Sequence, residues 1–134
     1  MAVPHPWRAI PPRVEVRFAD LPRGVRGLTN GATIWLHHRL SQRERRSTLA
    51  HELEHVRRDH RDEQPEVVEQ QVRIAAARWL LPDIHVVGEA LAWTLNLDEA
   101  ADELWVDRMT LRTRLEHLHP SERHYLKRRL EHHD

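Results

Sequence analysis

Thr48-Leu-Ala-His-Glu-Leu-Glu-His55 carries the strongest structural and chemical signal in this 134-residue chain. Histidines four residues apart lie on one face of an α-helix, so His51 and His55 can bind the same metal ion, with Zn–N distances of roughly 2.0–2.1 Å. Glu52 lies one step round the helix, where its carboxylate can take a proton from water at the metal and hand it to a leaving amine. The HExxH spacing therefore predicts a zinc-dependent hydrolase.

The sequence around the motif indicates a helix at this position. Ser41-Gln-Arg-Glu44 is a capping box, in which the serine and glutamate side chains satisfy free backbone N–H groups, and it predicts a helix as far as about Arg58. Leu49, Leu53 and Val56 recur at helical spacing and should face the core. Because the chain has twelve histidines, its composition alone yields an HExxH pattern with a chance of roughly one in ten. Two solvent-facing histidines on a charged helix are the alternative.

A catalytic zinc site needs a third protein ligand and keeps water in its fourth position. The arrangement HExxHxxGxxH does not fit, because Arg58 and Arg61 stand where its glycine and its third histidine would be. An acidic residue from the next helix is the other option. Glu66 and Glu69 share a helix face, so spacing alone does not separate them. The full set of acidic candidates is Glu63, Glu66 and Glu69.

Three other polar residues are candidates for a role in this site. His60 and His85 are weaker candidates for metal ligands, and we expect a surface position for both. A second donor to the developing oxyanion is usually needed in such enzymes. Tyr125 is the only tyrosine of the chain and His60 is close to the motif in sequence, but the sequence assigns this task to neither.

The order of the predicted elements indicates an α+β fold in which helix predominates. Val14–Phe18 alternates apolar and charged residues, as a half-buried strand does, and Asn30-Gly31 before Thr33–Leu36 predicts a hairpin. We expect Thr33–Leu36 to be an edge strand to which an extended substrate can pair; the alternative is that its apolar residues only build core. A second helix should begin at Pro65 and stop at Pro82.

Further helices are expected in the second half of the chain. The second helix should carry Val68, Val72, Ala75, Ala76 and Trp79 on one side. After it, the pattern predicts helices over residues 84–94, 98–104, 107–118 and 120–130, with Asp98 and Asp107 as the caps of the middle two.

Composition limits the other classes of protein. The formal net charge of +0 gives no basic field for nucleic acid. Without cysteine, a metal site must use His, Asp and Glu. No apolar run reaches the roughly 18 residues of a membrane span, and residues 1–13 lack the apolar segment of a signal peptide. We therefore expect a globular, cytoplasmic protein.

Thr48–His55, followed by Glu69-Gln-Gln-Val-Arg-Ile-Ala-Ala-Ala-Arg-Trp-Leu-Leu-Pro82, resembles the ImmA/IrrE family of metallo-endopeptidases. That family has an HELGH-like helix and then a helix of the form E-x-x-A-(N/D)-x-F-A-x-x-L-L-x-P. The resemblance extends over about residues 27–118 and implies that Glu69 is the third ligand. Glu54, Val72, Arg73 and Ala75 depart from the pattern without removing a ligand or the base.

The resemblance also implies a fold and a function. It implies a zincin-like catalytic core over residues 14–82 and a C-terminal helical subdomain over residues 83–134, within a single domain of residues 1–134. Family members cut specific transcriptional repressors, commonly of phages, mobile elements or stress regulons. We therefore expect a gluzincin-like zinc endopeptidase with one protein substrate, with His51, His55 and Glu69 as ligands and Glu52 as base. The alternative is a non-cleaving zincin-fold module, an anti-repressor or sensor, which has no chemical need for Glu52.

Residues 98–118 have the outline of a DNA-reading helix pair. In that interpretation, Thr110, Arg112 and Arg114 would contact DNA, and the protein would be a regulator. Acidic residues are interspersed through the segment, whereas phosphate binding needs a positive surface. We therefore favour a packing module that covers the catalytic half with Leu104, Val106, Leu111 and Leu115.

Overall fold

The computed structural model describes residues 4–131; residues 1–3 and 132–134, the outer ends of the expected single domain, lie outside the described part. A small sheet is followed by helices that make up most of the chain, which confirms the helix-predominant α+β, zincin-like fold. A short 3-10 helix at Pro6–Ala9 precedes strands β1 (Glu15–Ala19), β2 (Gly27–Thr29) and β3 (Thr33–His37). The helices are α1 (Gln42–Arg57), α2 (Glu66–Leu80), α3 (Ile84–Trp93), α4 (Leu97–Glu103), α5 (Arg108–Glu116) and α6 (Pro120–Glu131).

The sheet has the strand order β1-β3-β2. The predicted hairpin is confirmed: β2 and β3 are antiparallel, and the Asn30 side chain accepts hydrogen bonds from the N–H groups of Ala32 and Thr33 in the turn. The predicted edge position of Thr33–Leu36 is wrong. β3 is the central strand, because β1 pairs with its other side in parallel, with Glu15 opposite Thr33. The edge strands are β1 and β2.

Helix α1 begins at the predicted capping box. Ser41 Oγ accepts a hydrogen bond from the N–H of Glu44 at 3.2 Å, and the Glu44 carboxylate accepts one from the N–H of Ser41 at 2.9 Å. Leu49 and Val56 pack against the buried strand residues Ile34 and Leu36, and against buried Val14 just before β1, in one apolar cluster. This packing fixes which face of α1 is turned away from the sheet core.

Helix α2 buries a face that differs from the predicted one. Val72 and Ala76 are buried as expected, and Ala77 and Leu80 complete the face. Trp79, which belongs to the predicted apolar side, is 38% exposed and lies outside the core. Helix α5 packs against α2.

The C-terminal helices cover the helical half of the core. Leu104, Val106 and Leu111 are buried, and Leu115 packs against them. The N-cap of α4 is Asn96, whose side chain accepts a hydrogen bond from the N–H of Glu99. The prediction of Asp98 as this cap is therefore wrong by two residues. Asp107 caps α5, as predicted.

Arg114 is buried and therefore cannot contact DNA in this structure. Its guanidinium pairs with Glu122 and donates to the carbonyl oxygen of Leu81. The DNA-reading interpretation thus loses one of its three contact residues. No helix in the described part of the chain is long and apolar enough to cross a membrane.

Candidate metal centre

Two helices bring the predicted ligand residues together. His51 and His55 lie one turn apart on α1, and Glu69 projects towards them from the first turns of α2. Glu69 Oε1 lies 3.3 Å from His51 Nε2 and 3.0 Å from His55 Nε2. One candidate ligand atom from each residue lies within 4.8 Å of the other two. The other acidic candidates are elsewhere: Glu63 is exposed, and the Glu66 side chain is 76% exposed and pairs with Arg73.

The donor atoms of this cluster fit a divalent metal such as zinc. Two imidazoles and one carboxylate are the ligand set of many catalytic zinc sites. Glu69 Oε2 is buried without an aligned hydrogen-bond donor, although His55 Nε2 is 2.9 Å away. A buried carboxylate oxygen without a hydrogen bond is costly, and a cation between the three residues would remove that cost.

The pKa of His51 also favours metal binding. Burial first, and then the neighbouring His55, lower the pKa of the His51 imidazole. The neutral imidazole, whose free nitrogen lone pair binds metals, is therefore the prevailing form at neutral pH.

Glu52 is buried beside this cluster. Burial, and then the nearby charge of Glu69, raise the pKa of the Glu52 carboxyl to about 8 in the absence of metal. Gly27 of strand β2 lies close to the side chains of Glu52 and Thr48. A Cβ atom added at residue 27 would lie 3.2 Å from Glu52 Cγ and 2.7 Å from Thr48 Cγ2. Strand β2 can approach α1 here only because residue 27 has no side chain.

A cleft of about 230 Å³ opens beside Glu52 and His51. Its walls come from β2, α1, α2 and α5, and Arg73 is one of the charged residues that line it. Arg26 also lines the cleft but is paired with Asp107 at 2.9 Å. Arg73 occupies a position at which the ImmA/IrrE pattern has Asn or Asp. Compared with that pattern, this chain therefore has an additional positive charge next to the candidate metal centre.

His60 is the residue that sequence reasoning missed. We expected it at the surface, but it is half-buried and its Nδ1 lies 3.0 Å from Nδ1 of His55. The chain reverses at Asp59, which has φ +60°, and so brings His60 back onto the last turns of α1. The available signal was the pair Asp59-His60 directly after a helix end, because Asp is one of the few non-glycine residues that adopt this conformation.

Neither of the remaining polar candidates lines the cleft beside Glu52 in the described residues. His85 is exposed on α3, as expected for a surface residue. The ring of Tyr125, on α6, lies 4.3 Å from the His85 ring. The oxyanion donor therefore stays unassigned.

A second group of metal-binding residue types lies at the end of the sheet but does not form a comparable site. Asp20 Oδ1 is 3.7 Å from His37 Nε2 and 3.5 Å from His38 Nε2. The N–H of Arg39 donates to His37 Nδ1, so His37 carries its proton on Nε2 and has no lone pair there for a metal. The Asp20 side chain is 84% exposed. This cluster is better explained by polar contacts at an exposed end of the sheet.

The chain matches a known protein family. Residues 14–129 match the family Peptidase_M78, described as the IrrE N-terminal-like domain. The match includes the candidate metal centre and the helices that follow it. No curated protein and no solved structure gave a significant match.

Proposed function

This chain belongs to the Peptidase_M78 family of metallopeptidases, and we propose that it is a zinc-dependent endopeptidase that cuts one specific protein. One observation supports this proposal most directly. His51, His55 and Glu69 converge from two helices beside the buried carboxyl of Glu52. A module that only binds a partner has no use for this combination of groups.

In the proposed mechanism, His51 and His55 would hold zinc through Nε2, and Glu69 would hold it through its carboxylate. Bound zinc would supply a Lewis acid that polarises the scissile carbonyl and acidifies water. Glu52 takes a proton from the attacking water on its carboxylate and then gives that proton to the nitrogen of the leaving amine. Burial raises the pKa of Glu52 in the metal-free protein, and the positive charge of bound zinc would oppose this shift and favour the ionised carboxylate that accepts the proton.

The substrate would lie in the cleft along β2. This strand has a free edge, since its one partner in the described sheet is β3, and Gly27 brings it next to Glu52. An extended peptide can add to such an edge through backbone hydrogen bonds. The substrate-binding edge that we first expected on β3 is thus proposed for β2.

Charge in the cleft favours an acidic substrate side chain near the cleaved bond. Arg73 lines the cleft, and its partner Glu66 is 76% exposed, so water screens that ion pair. The planar guanidinium can bind a carboxylate through two parallel hydrogen bonds. We propose that Arg73 selects for Asp or Glu in the substrate.

Membership of a repressor-cleaving family supports a transcriptional repressor of a phage, mobile element or stress regulon as the substrate. A repressor works in the cytoplasm, so we propose that the enzyme acts there. We also propose that residues 14–82 form the catalytic core and residues 83–134 a helical subdomain of one domain. In support, Arg78 on α2 bonds both the carbonyl oxygen of His117 and the carboxylate of Glu122.

Elemental analysis of the purified protein tests the metal centre. The parent should bind about one zinc per chain, as a three-ligand catalytic site does, and His55→Ala and Glu69→Ala should lose it. Glu66→Ala is the matched control, because it removes a glutamate from the same helix and should keep the zinc. A parent that stays metal-free after folding with zinc supplied would refute the proposed function.

Cleavage is tested by incubating the zinc-loaded protein with repressors from its own genome and mass-analysing the products. The parent should cut one of them at a defined bond, and Glu52→Gln should bind zinc without cutting. If Glu52→Gln inactivates the repressor as well as the parent does, binding alone is the function.

A further inference from the structure

Building on the proposed zinc site, we infer that His60 is a positioning residue for the ligand His55. Its Nδ1 accepts a hydrogen bond from the Nδ1–H of His55, and this bond turns the lone pair of His55 Nε2 towards the metal. His60 itself does not touch the metal or the substrate.

The two rings are placed for such a bond. Their Nδ1 atoms lie 3.0 Å apart, within the usual range for a hydrogen bond, and their ring centroids are 5.2 Å apart. The side chain of His55 is only 8% exposed, so water competes little for its Nδ1. On the other side of the ring, His55 Nε2 faces the carboxylate of Glu69.

The chemistry of imidazole then fixes which ring donates. A neutral imidazole carries one proton, so one nitrogen donates and the other accepts. When His55 binds a metal through Nε2, its proton must be on Nδ1. His60 must therefore accept at Nδ1 and carry its own proton on Nε2. The reverse arrangement, with His60 as donor, puts the proton of His55 on Nε2 and suits only the metal-free protein.

The backbone holds His60 in this place. The N–H of His60 donates to the carbonyl oxygen of His55 at 2.9 Å, and the N–H of Asp59 donates to that of Val56 at 3.0 Å. With Asp59 at φ +60°, these two bonds form a Schellman motif, which closes a helix and folds the next residue back onto it. The contact between the two histidines thus follows from the way α1 ends.

Acceptors behind metal-bound histidines are commonly carboxylates or carbonyl oxygens, and their loss typically costs about 10–100-fold in metal affinity. We expect the same loss when His60 is changed. Zinc affinity measured by competition with a chromophoric chelator, at one fixed pH, tests it in His60→Leu and His60→Asn. Asparagine Oδ1 takes the place of the accepting nitrogen, whereas leucine has a similar size and no acceptor. His85→Leu is the control for loss of an exposed histidine.

His60→Leu should lose about 10–100-fold in zinc affinity, while His60→Asn and His85→Leu stay close to the parent and all bind one zinc at saturation. If the parent binds zinc but His60→Leu binds it as tightly, His60 does not position His55. Equal losses in His60→Leu and His60→Asn would show a packing role and overturn the inference. A parent without zinc would instead refute the proposed metal centre.

A second measurement needs no variant. Nitrogen-15 NMR of the zinc-loaded parent should show the proton of His55 on Nδ1 and that of His60 on Nε2. A proton on Nδ1 of His60 in the zinc-loaded protein would overturn the inference.

Discussion

The Glu122→Gln variant should lose about 3 kcal/mol of the free energy of unfolding. Arg114 is only 1% exposed, and its Nη1 and Nη2 lie 3.1 and 2.6 Å from the two carboxylate oxygens of Glu122. Glutamine keeps the shape of the Glu122 side chain but removes its negative charge. Its NH₂ group, a hydrogen-bond donor, would also face the guanidinium of Arg114, which is a donor too. Breaking a buried ion pair on one side costs about 3–5 kcal/mol, and we take the lower end because the Glu122 side chain is 11% exposed.

This ion pair matters for the site because it ties α2, the helix of Glu69, to α5 and α6. Arg114 donates to the carbonyl oxygen of Leu81 at the end of α2, and Arg78 of α2 donates to Glu122. Folded domains of this size are stable by only about 5–15 kcal/mol. The variant should therefore be less stable and should hold α2 less firmly.

Urea denaturation followed by circular dichroism measures this loss directly. The midpoint should fall while the slope of unfolding free energy against urea stays unchanged. Glu89→Gln is the matched control, since Glu89 also pairs with an arginine, Arg129, but in an exposed position where water screens the pair. If Glu122→Gln loses no more stability than Glu89→Gln, the pair with Arg114 does not hold the helices together.

Four further predictions test the pH dependence and the surroundings of the site. The hydrogen bond from Arg114 holds the pKa of Glu122 well below its ordinary value of about 4.5. The resulting stabilisation is complete above about pH 4.5 and is lost as the pH falls towards the lower pKa of the folded state. The free energy of unfolding should therefore fall less steeply with acid in Glu122→Gln than in the parent, and the same dependence on pH in both proteins would contradict this. Gly27→Ala should cost about 1–3 kcal/mol by overpacking against Thr48 and should slow cleavage while zinc is retained; an unchanged rate would refute the close contact. Asp59→Val should lower thermal stability and zinc affinity, because a β-branched residue resists positive φ, whereas Asp59→Gly should keep both. Arg73→Glu should lower the ratio of kcat/KM for acidic over basic peptides by at least about fivefold, the equivalent of about 1 kcal/mol; an unchanged ratio excludes Arg73 as the selecting residue.

Local signals were sufficient to predict helix α1 and the hairpin. The capping box at Ser41 and Glu44 and the Asn30-Gly31 turn both act within a few residues, and both appear in the structure. The edge position of β3 could not be judged in the same way. Its second partner, β1, lies 18 residues upstream in register and pairs in parallel, without a turn sequence that announces the contact.

Glu69 and Glu66 show a different limit of sequence reasoning. Both lie on one face of α2, so helical spacing is satisfied by either. Only the approach of α2 to α1, a tertiary contact, brings Glu69 within 3.3 Å of His51 and leaves Glu66 in solvent beside Arg73. The family resemblance selected Glu69 because it carries information about that packing, which residue spacing within one helix does not contain.

The position of His60 depends on a single backbone angle, which explains why the sequence did not reveal its contact. With a glycine at residue 59, the helix end would have been read as a Schellman motif, and the next residue would have been expected to fold back onto α1. Asp59 adopts the same conformation, but aspartate is also common in ordinary turns and loops, so it does not by itself indicate this helix end. The residue after Asp59 is His60, and His55 lies buried in the last turn of α1. The backbone angle at Asp59 therefore decides whether His55 has a hydrogen-bond acceptor behind it. A search for further chains of this kind should therefore look for Asp, Asn or Gly four residues after the second histidine of HExxH, followed by a hydrogen-bond acceptor.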